Sequence, residues 1–282
     1  MHRELARAKL NLTLDIIGRR PDGYHELETI MQAIELGDHL TFMPASEGIV
    51  VQCAHPGVPA GEDNLVFKAA ALLMEFTGRN WGVRIELKKN IPVAAGLAGG
   101  SADAAAALRG LNRLFRAGLA EKDLLFLGER IGADVPFCLL GKTALARGKG
   151  EVLTPLAALK GAGVVLVVPP FGVSTAAAYR LYDRLGGGPR PKNREMVAAL
   201  EKGDLFMVGQ LLGNVFEGPV FFLHPELKEV KEALLEAGAL GASLSGSGPA
   251  VFGLCVDRER AGLVAGRLHL PPEYAVLVTE TV

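Results

Sequence analysis

The sequence predicts an α+β protein, one large domain or two of ordinary size, whose halves divide as residues 1–155 and 156–282. Three observations carry that expectation. Runs with the two-residue period of a half-buried strand occur among stretches of good helix formers. The second half reads strand, helix, helix, strand, helix, strand, the rhythm of an α+β sandwich with a mostly antiparallel sheet. In the first half, a loop rich in glycine separates an extended apolar segment from a run of alanines.

Taken in order, residues 6–17 carry apolar side chains at 8, 10, 12, 14 and 16, the alternation of a strand with one buried face. Lys9 and Asn11 then share the opposite face, which an ordinary solvated surface would explain. Pro21-Asp22-Gly23 makes a tight turn, and Tyr24 and His25 follow it. A hairpin end could hold that pair for no special purpose, but an aromatic face beside an imidazole also suits a planar base. Further strands are expected over 27–36, 38–42 and 49–53. Residues 65–76 read as a helix capped by Asp63 or Asn64 and stopped by Gly78. After a strand over 83–87, Lys88-Lys89-Asn90 leads into the glycine loop.

That loop has the makings of a phosphate seat. Gly96, Gly99 and Gly100 allow close backbone approach, and a helix start offers unpaired N–H groups and a positive dipole end. A turn that only packs a helix on a sheet would use the same residues. Ser101 is the expected N-cap, with Asp103 as a favourable carboxylate in the first turn. The helix should run to about Phe115, with Ala104, Leu108, Leu111 and Phe115 on one stripe. Another helix is expected over 121–131. Asp134 follows among small and apolar residues, where a carboxylate seldom lacks a partner. A helix cap would satisfy it, and so would a lysine near a phosphoryl group.

In the second half, residues 164–170 form a short buried strand and Ser174 or Thr175 starts a helix. A loop at 186–191 precedes helices over 194–200, 205–212 and 225–237. Residues 240–249 form a second glycine–serine loop that enters a strand over 250–254. A helix over 258–268 and a strand over 274–279 complete the chain.

Composition excludes several classes. With 49% hydrophobic and 22% charged residues the chain is an ordinary globular protein. A net charge of -1 gives no field to draw it to nucleic acid or an anionic membrane, so neither is expected as a partner. The longest apolar stretch, around 163–171, is too short to span a bilayer and holds two prolines. Met1-His2-Arg3-Glu4 opens the chain without an apolar leader, and a cytoplasmic protein is expected. Cys53, Cys138 and Cys255 are odd in number and lack CxxC spacing, which suits reduced core residues.

Two standard nucleotide motifs fail. Gly141-Lys142-Thr143 has a Walker ending, but Pro136 stands where its first glycine is needed. The dinucleotide fingerprint is broken by Ala98 and Ser101. A phosphate loop of another kind is left.

Three stretches, Ala8-Lys9-Leu10-Asn11, residues 92–104 and residues 243–253, stand in an order and spacing that resemble the GHMP family of small-molecule kinases. The resemblance extends over nearly the whole chain and is sharpened by Arg20-Pro21-Asp22-Gly23-Tyr24-His25, by residues 132–137 and by Gly148-Lys149-Gly150-Glu151. It implies a ribosomal-protein-S5-like N-terminal domain and a ferredoxin-like C-terminal domain, the last strand returning to the first domain. It implies ATP and a second substrate meeting in the cleft between them, with Mg²⁺ bridging the ATP phosphates and no carboxylate marked as its ligand. By the same resemblance Pro92, Val93, Ala94, Ala95, Gly96, Leu97, Ala98, Gly99, Gly100, Ser101 and Ala102 wrap the phosphates. Ser245 and Gly246 close over them, and Lys89 and Asn64 lie near the adenine.

Lys9 and Asp134 are implied as the catalytic pair. Asn11, Tyr24 and His25 would hold a small-molecule substrate carrying a cytidine diphosphate group, with Tyr179 stacked on the cytosine. The implied reaction is ATP-dependent phosphorylation of the 2-hydroxyl of a methylerythritol so substituted, in the non-mevalonate route to isoprenoid precursors. Ala98 stands where many members have glycine, and it is expected at negative φ, where its methyl is tolerated. Two rivals remain: a kinase of this family for mevalonate or homoserine, and a nucleotide- or RNA-binding module without catalysis.

Overall fold

A tight turn sets the start of the chain. Gly23 takes φ +85°, which a residue without Cβ enters at little cost. Its N–H donates to the Arg20 carbonyl at 3.0 Å, and the Arg20 N–H donates to the Tyr24 carbonyl at 2.7 Å. The Asp22 carboxylate accepts the Tyr24 N–H at 3.1 Å. On either side of this turn run β1 (His2–Arg19) and β2 (His25–Ala45), in a computed structural model that describes residues Met1–Val282. The expected break between strands near residue 37 does not occur. Gly37 lies against β1, where a Cβ would come within 2.8 Å of the Ala6 carbonyl oxygen, so a glycine keeps the strand continuous.

The chain divides into two compact units. One comprises Met1–Ala8, Leu36–Val93 and Ala98–Gly141; the other comprises Lys9–Glu35, Ala94–Leu97 and Lys142–Val282. The boundary expected at 155 falls inside the second unit, because β1, β2 and the glycine loop each give residues to both.

In the first unit, β3 (Ile49–Cys53) runs parallel to β4 (Gly82–Lys88), and the His39–Ala45 part of β2 pairs antiparallel with β4. Between these strands lies α1 (Leu65–Thr77), whose cap is Asn64 rather than Asp63: its side chain accepts the Val66 N–H. Then come α2 (Gly99–Leu114), α3 (Glu121–Ile131) and α4 (Val135–Leu140). Instead of one apolar stripe, α2 buries Ala102, the run Ala104 to Ala107, Leu108 and Leu111. Its small residues let α1, α3 and α4 all pack on it. Gly110 is part of that design, since a Cβ there would run into the Phe42 ring. At the far end of α2, Phe115 stacks on Trp81 with ring centroids 4.6 Å apart and planes 3° from parallel.

In the second unit, β5 (Thr143–Gly148) pairs antiparallel with Leu27–Gln32 of β2 and with β6 (Val152–Pro155). Next come β7 (Gly163–Val168), α5 (Thr175–Leu185), α6 (Asn193–Lys202) and α7 (Leu205–Gln210). The two-residue β8 (Gly213–Asn214) lies parallel to β1 at Thr13 and Leu14. After α8 (Glu217–Leu223) and α9 (Pro225–Glu236) the chain ends with β9 (Gly241–Leu244), β10 (Val251–Cys255), α10 (Arg258–Ala265) and β11 (Ala275–Glu280). The order β11-β7-β10-β9 is fully antiparallel, as the sequence predicts for this half. Val165, Val167, Phe216, Leu227 and Leu234 are among the core side chains beneath it, each contributing roughly 1.5–3 kcal/mol of burial. Thr281, past the last strand, bridges back to Ile34 of β2.

None of the three cysteines is in a disulfide. Cys255 is buried as expected, and burial pushes its thiol up to about 11. Cys53 and Cys138 are half-buried, not core residues.

Candidate active site

The polar face of β1 is not solvated. Lys9, Asn11, Thr13 and Asp15 are each 5% exposed or less, and each has a partner from elsewhere in the second unit. The Lys9 ammonium donates to Asn11 Oδ1 at 2.7 Å and to the Gly96 carbonyl at 3.0 Å. Asn11 Nδ2 donates to Thr29 Oγ1 at 2.8 Å, and that hydroxyl donates to the Thr13 carbonyl at 2.6 Å. The Ile30 N–H donates to Thr13 Oγ1 at 3.1 Å. Asp15 is paired with Arg190 at 2.8 Å. The chain thus uses both polar atoms of Asn11 to aim Lys9.

Two glycine loops meet at that ammonium. Gly96 has φ +77°, and a Cβ on it would run into the Ser245 carbonyl oxygen. Its own carbonyl accepts the Ser245 hydroxyl at 3.0 Å as well as Lys9. A Cβ on Gly246 would stand 3.3 Å from Lys9 Nζ. Asn214 fixes the second loop by donating to the Leu244 and Gly246 carbonyls, both at 2.8 Å, and accepting the Phe216 N–H at 2.9 Å. Sequence reasoning missed Asn214, because the two loop carbonyls it donates to lie thirty and thirty-two residues on.

In the first unit, α2 begins two residues earlier than Ser101. Its N-cap is Ala98 at φ 55°, with no side-chain cap, so both the expected negative φ and the expected serine cap are corrected. Once Ala98 turns left-handed the helix already starts at Gly99, and Ser101 falls inside the first turn. The Gly99 and Gly100 N–H groups are then left without a capping side chain, the condition under which a helix start takes an anion. The left-handed alanine costs about 1–2 kcal/mol. In the second unit, Ala94 does the same at φ 56°.

Lys89 is 5% exposed and sits between the carboxylates of Asp38 and Asp103, the latter at 2.7 Å. Asp38 also accepts the N–H groups of Asn90 at 2.5 Å and Ile91 at 2.8 Å. Burial works against the Lys89 ammonium, but the charge and hydrogen bonds of Asp103 and Asp38 outweigh it and hold its pKa above the usual. Asp103 behaves oppositely. Burial, aided by the Asp38 charge and opposed by Lys89, pushes it up to about 8. With one cation facing two carboxylates, Asp103 is held towards its protonated form. Asp103 Oδ1 has no hydrogen-bond partner. The favourable first-turn carboxylate expected at 103 is thus corrected: with α2 starting at Gly99, Asp103 lies past the first turn and is buried.

Asn64 spends its oxygen on the Val66 N–H and donates one amide hydrogen to the Pro59 carbonyl at 2.9 Å. Asp134 is the N-cap of α4, but its side chain makes no cap hydrogen bond. The cap alternative therefore does not account for its carboxylate.

On the base-holding side, Tyr24 is 60% exposed, with the Lys149 ammonium 4.9 Å from its ring centroid. His25 packs against α5: its ring stacks on Tyr179 at 4.7 Å and its Nε2 lies 2.7 Å from Asp183 Oδ1. Sequence reasoning found Tyr179 and missed Tyr182 and Asp183, although Tyr179, Tyr182 and Asp183 have the spacing of one helix face.

Known proteins share both sequence and fold with this chain. Models of the GHMP kinases N terminal domain and GHMP kinases C terminal domain match residues 64–142 and 196–270. The 4-diphosphocytidyl-2-C-methyl-D-erythritol kinase of Pelotomaculum thermopropionicum is 51% identical over 279 residues, 98% of this chain and 96% of that protein. The kinase of the same name from Synechococcus sp. is 46% identical, over 98% of this chain and 92% of that protein. A crystal structure of 4-(cytidine 5'-diphospho)-2C-methyl-D-erythritol kinase matches with a TM-score of 0.84 and 39% identity over 99% of both chains. A homoserine kinase from Cytophaga hutchinsonii, 22% identical, shares the fold with a TM-score of 0.78 over 99% of this chain and 94% of that one. No helix is long and apolar enough to cross a membrane.

Proposed function

Because the chain belongs to the GHMP kinase family, we propose that it transfers the γ-phosphoryl group of ATP to the 2-hydroxyl of 4-diphosphocytidyl-2-C-methyl-D-erythritol. The step belongs to the non-mevalonate route to isoprenoid precursors and takes place in the cytoplasm, without nucleic-acid or membrane partners.

One observation carries the reaction class. Lys9 is a buried ammonium whose hydrogen-bond partners are an amide oxygen and a backbone carbonyl, neither of them charged. Keeping such a charge out of water is costly unless an anion comes to it. A phosphoryl group in transfer is that anion.

The transition state of phosphoryl transfer is loose, so positioning and charge stabilisation matter more than a strong base. Lys9, aimed by Asn11, neutralises charge on the moving group. Asp134 accepts the hydroxyl proton as the new O–P bond forms. Residues 92–102 wrap the triphosphate, with the uncapped N–H groups at the start of α2 as donors, and Ser245 and Gly246 close over it. Lys89 has three N–H donors, two of them used by Asp38 and Asp103. Its third, and the second amide hydrogen of Asn64, serve the adenine. Tyr24, His25 and Tyr179 hold the cytosine.

Mg²⁺ is the expected companion of ATP. The chain has no cluster of three acidic, histidine or cysteine side chains fit to hold a metal. The ion's oxygens would then be those of the triphosphate and water.

An ADP-release assay with and without the cytidylyl alcohol tests the reading, with mevalonate and homoserine as parallel acceptors. Release that depends on the cytidylyl alcohol is the expected result. Equal release with another alcohol would reassign the acceptor, and none with any acceptor would favour a binding module without catalysis.

A further inference from the structure

The face of α5 that meets His25 does more than supply a stacking ring. Tyr179 lies against the imidazole with planes 24° apart, and Tyr182 meets it edge-on at 6.1 Å and 87°. Asp183 completes the set at 2.7 Å from Nε2. The His25 side chain is only 12% exposed, whereas Asp183 is 39% exposed. An ionised carboxylate has no hydrogen to give and can only accept. Nε2 must therefore carry the proton in this contact. In a neutral imidazole the other nitrogen, Nδ1, is then a lone-pair acceptor. The two tyrosine rings fix the plane of the imidazole, and the Asp183 carboxylate marks which ring edge carries Nε2.

We propose that Asp183 is a specificity-determining positioning residue: by fixing the Nε2–H tautomer of His25 it makes Nδ1 an acceptor that selects cytosine over uracil. The proposal rests on the reading above, in which His25 faces the pyrimidine. Cytosine carries an amino donor at the position where uracil carries a carbonyl oxygen. Against an acceptor nitrogen the amino group makes a hydrogen bond, whereas the carbonyl brings two lone pairs together. Leaving such polar groups unpaired in a closed site is what gives hydrogen-bonding pockets their discrimination.

The test compares kcat and KM for the cytidylyl alcohol and its uridylyl counterpart in the wild type, Asp183→Ala and Asp183→Asn. The wild type prefers the cytidylyl form. Asp183→Ala loses about tenfold or more of that preference through KM for the cytidylyl substrate, with kcat and KM for ATP within about twofold. Asp183→Asn keeps most of it, because the amide oxygen still accepts from Nε2. The nitrogen-15 shifts of His25 give a second readout: a protonated Nε2 and bare Nδ1 in the wild type, a mixture of tautomers in Asp183→Ala. An unchanged preference in Asp183→Ala, or a wild type with the proton on Nδ1, would overturn the proposal. A wild type that phosphorylates neither alcohol would instead overturn the functional reading, and the nitrogen shifts would still decide the tautomer.

Discussion

The Lys9 ammonium and the Ser245 hydroxyl donate to one and the same oxygen, the Gly96 carbonyl, each at 3.0 Å. A single peptide group thus ties the first strand to both glycine loops. Lys9→Met keeps the length of the side chain and removes its charge. We expect turnover to fall by about 10²-fold or more. The melting temperature should change little, because relief of a buried charge offsets the lost hydrogen bonds. Parallel losses of turnover and melting temperature would mark Lys9 as a scaffold residue instead.

Asp134→Asn should also lower turnover by orders of magnitude, while ATP binding measured by calorimetry stays nearly intact. Since the carboxylate makes no cap hydrogen bond, the thermal midpoint should not move. A variant with retained turnover would sink the assignment of Asp134 as proton acceptor.

Two of the left-handed positions of the glycine loop, Gly96 and Ala98, should respond in opposite ways. Gly96→Ala puts a Cβ into the Ser245 carbonyl at a positive φ and should cost more than about 2 kcal/mol in urea unfolding. Ala98→Gly removes a methyl from a left-handed residue. It should be neutral or stabilising by up to about 1 kcal/mol.

The Lys89 cluster makes stability depend on pH. Folded Asp103 binds its proton up to about pH 8, whereas the unfolded chain releases it near the ordinary value of about 3.9. The folded state holds the extra proton between those values. Stability is fully present below the unfolded pKa and falls as pH rises through this window. Asp103→Asn removes that slope, so its urea midpoint should change less than that of the wild type between about pH 5 and pH 9. Equal slopes would show that Asp103 titrates normally.

Removing the cation is a separate matter. Lys89→Met leaves Asp38 and Asp103 buried without it and should cost about 3–5 kcal/mol. Asp38→Asn combined with Asp103→Asn in that background should restore much of the loss. No recovery would mean that Lys89 matters through something other than these two carboxylates.

Local signals made much of this molecule legible. The alternation in β1, the turn at Gly23 and the two glycine loops are written in consecutive residues, and the antiparallel second sheet follows from the order of its elements. The misreadings came where distant partners decide. Alternation marked Lys9 and Asn11 as a separate face, but whether that face is wet depends on Thr29 and Gly96, eighteen and eighty-seven residues away. The left-handed Ala98 has no local signal, because alanine is a poor choice for that conformation and only its surroundings hold it there. Asp103 looks like a first-turn carboxylate until Lys89 arrives from the end of β4.

Trp81 is the only tryptophan in the chain, and it lies flat on Phe115 at the end of α2. Sixteen residues of helix, about 24 Å, separate that stack from the glycines at the other end. The chain therefore carries a built-in optical reporter. Since α1, α3 and α4 all pack on this helix, a tilt at its glycine end would shift the indole against the phenyl ring and change the emission. Nucleotide binding could be followed from the inside, without a label.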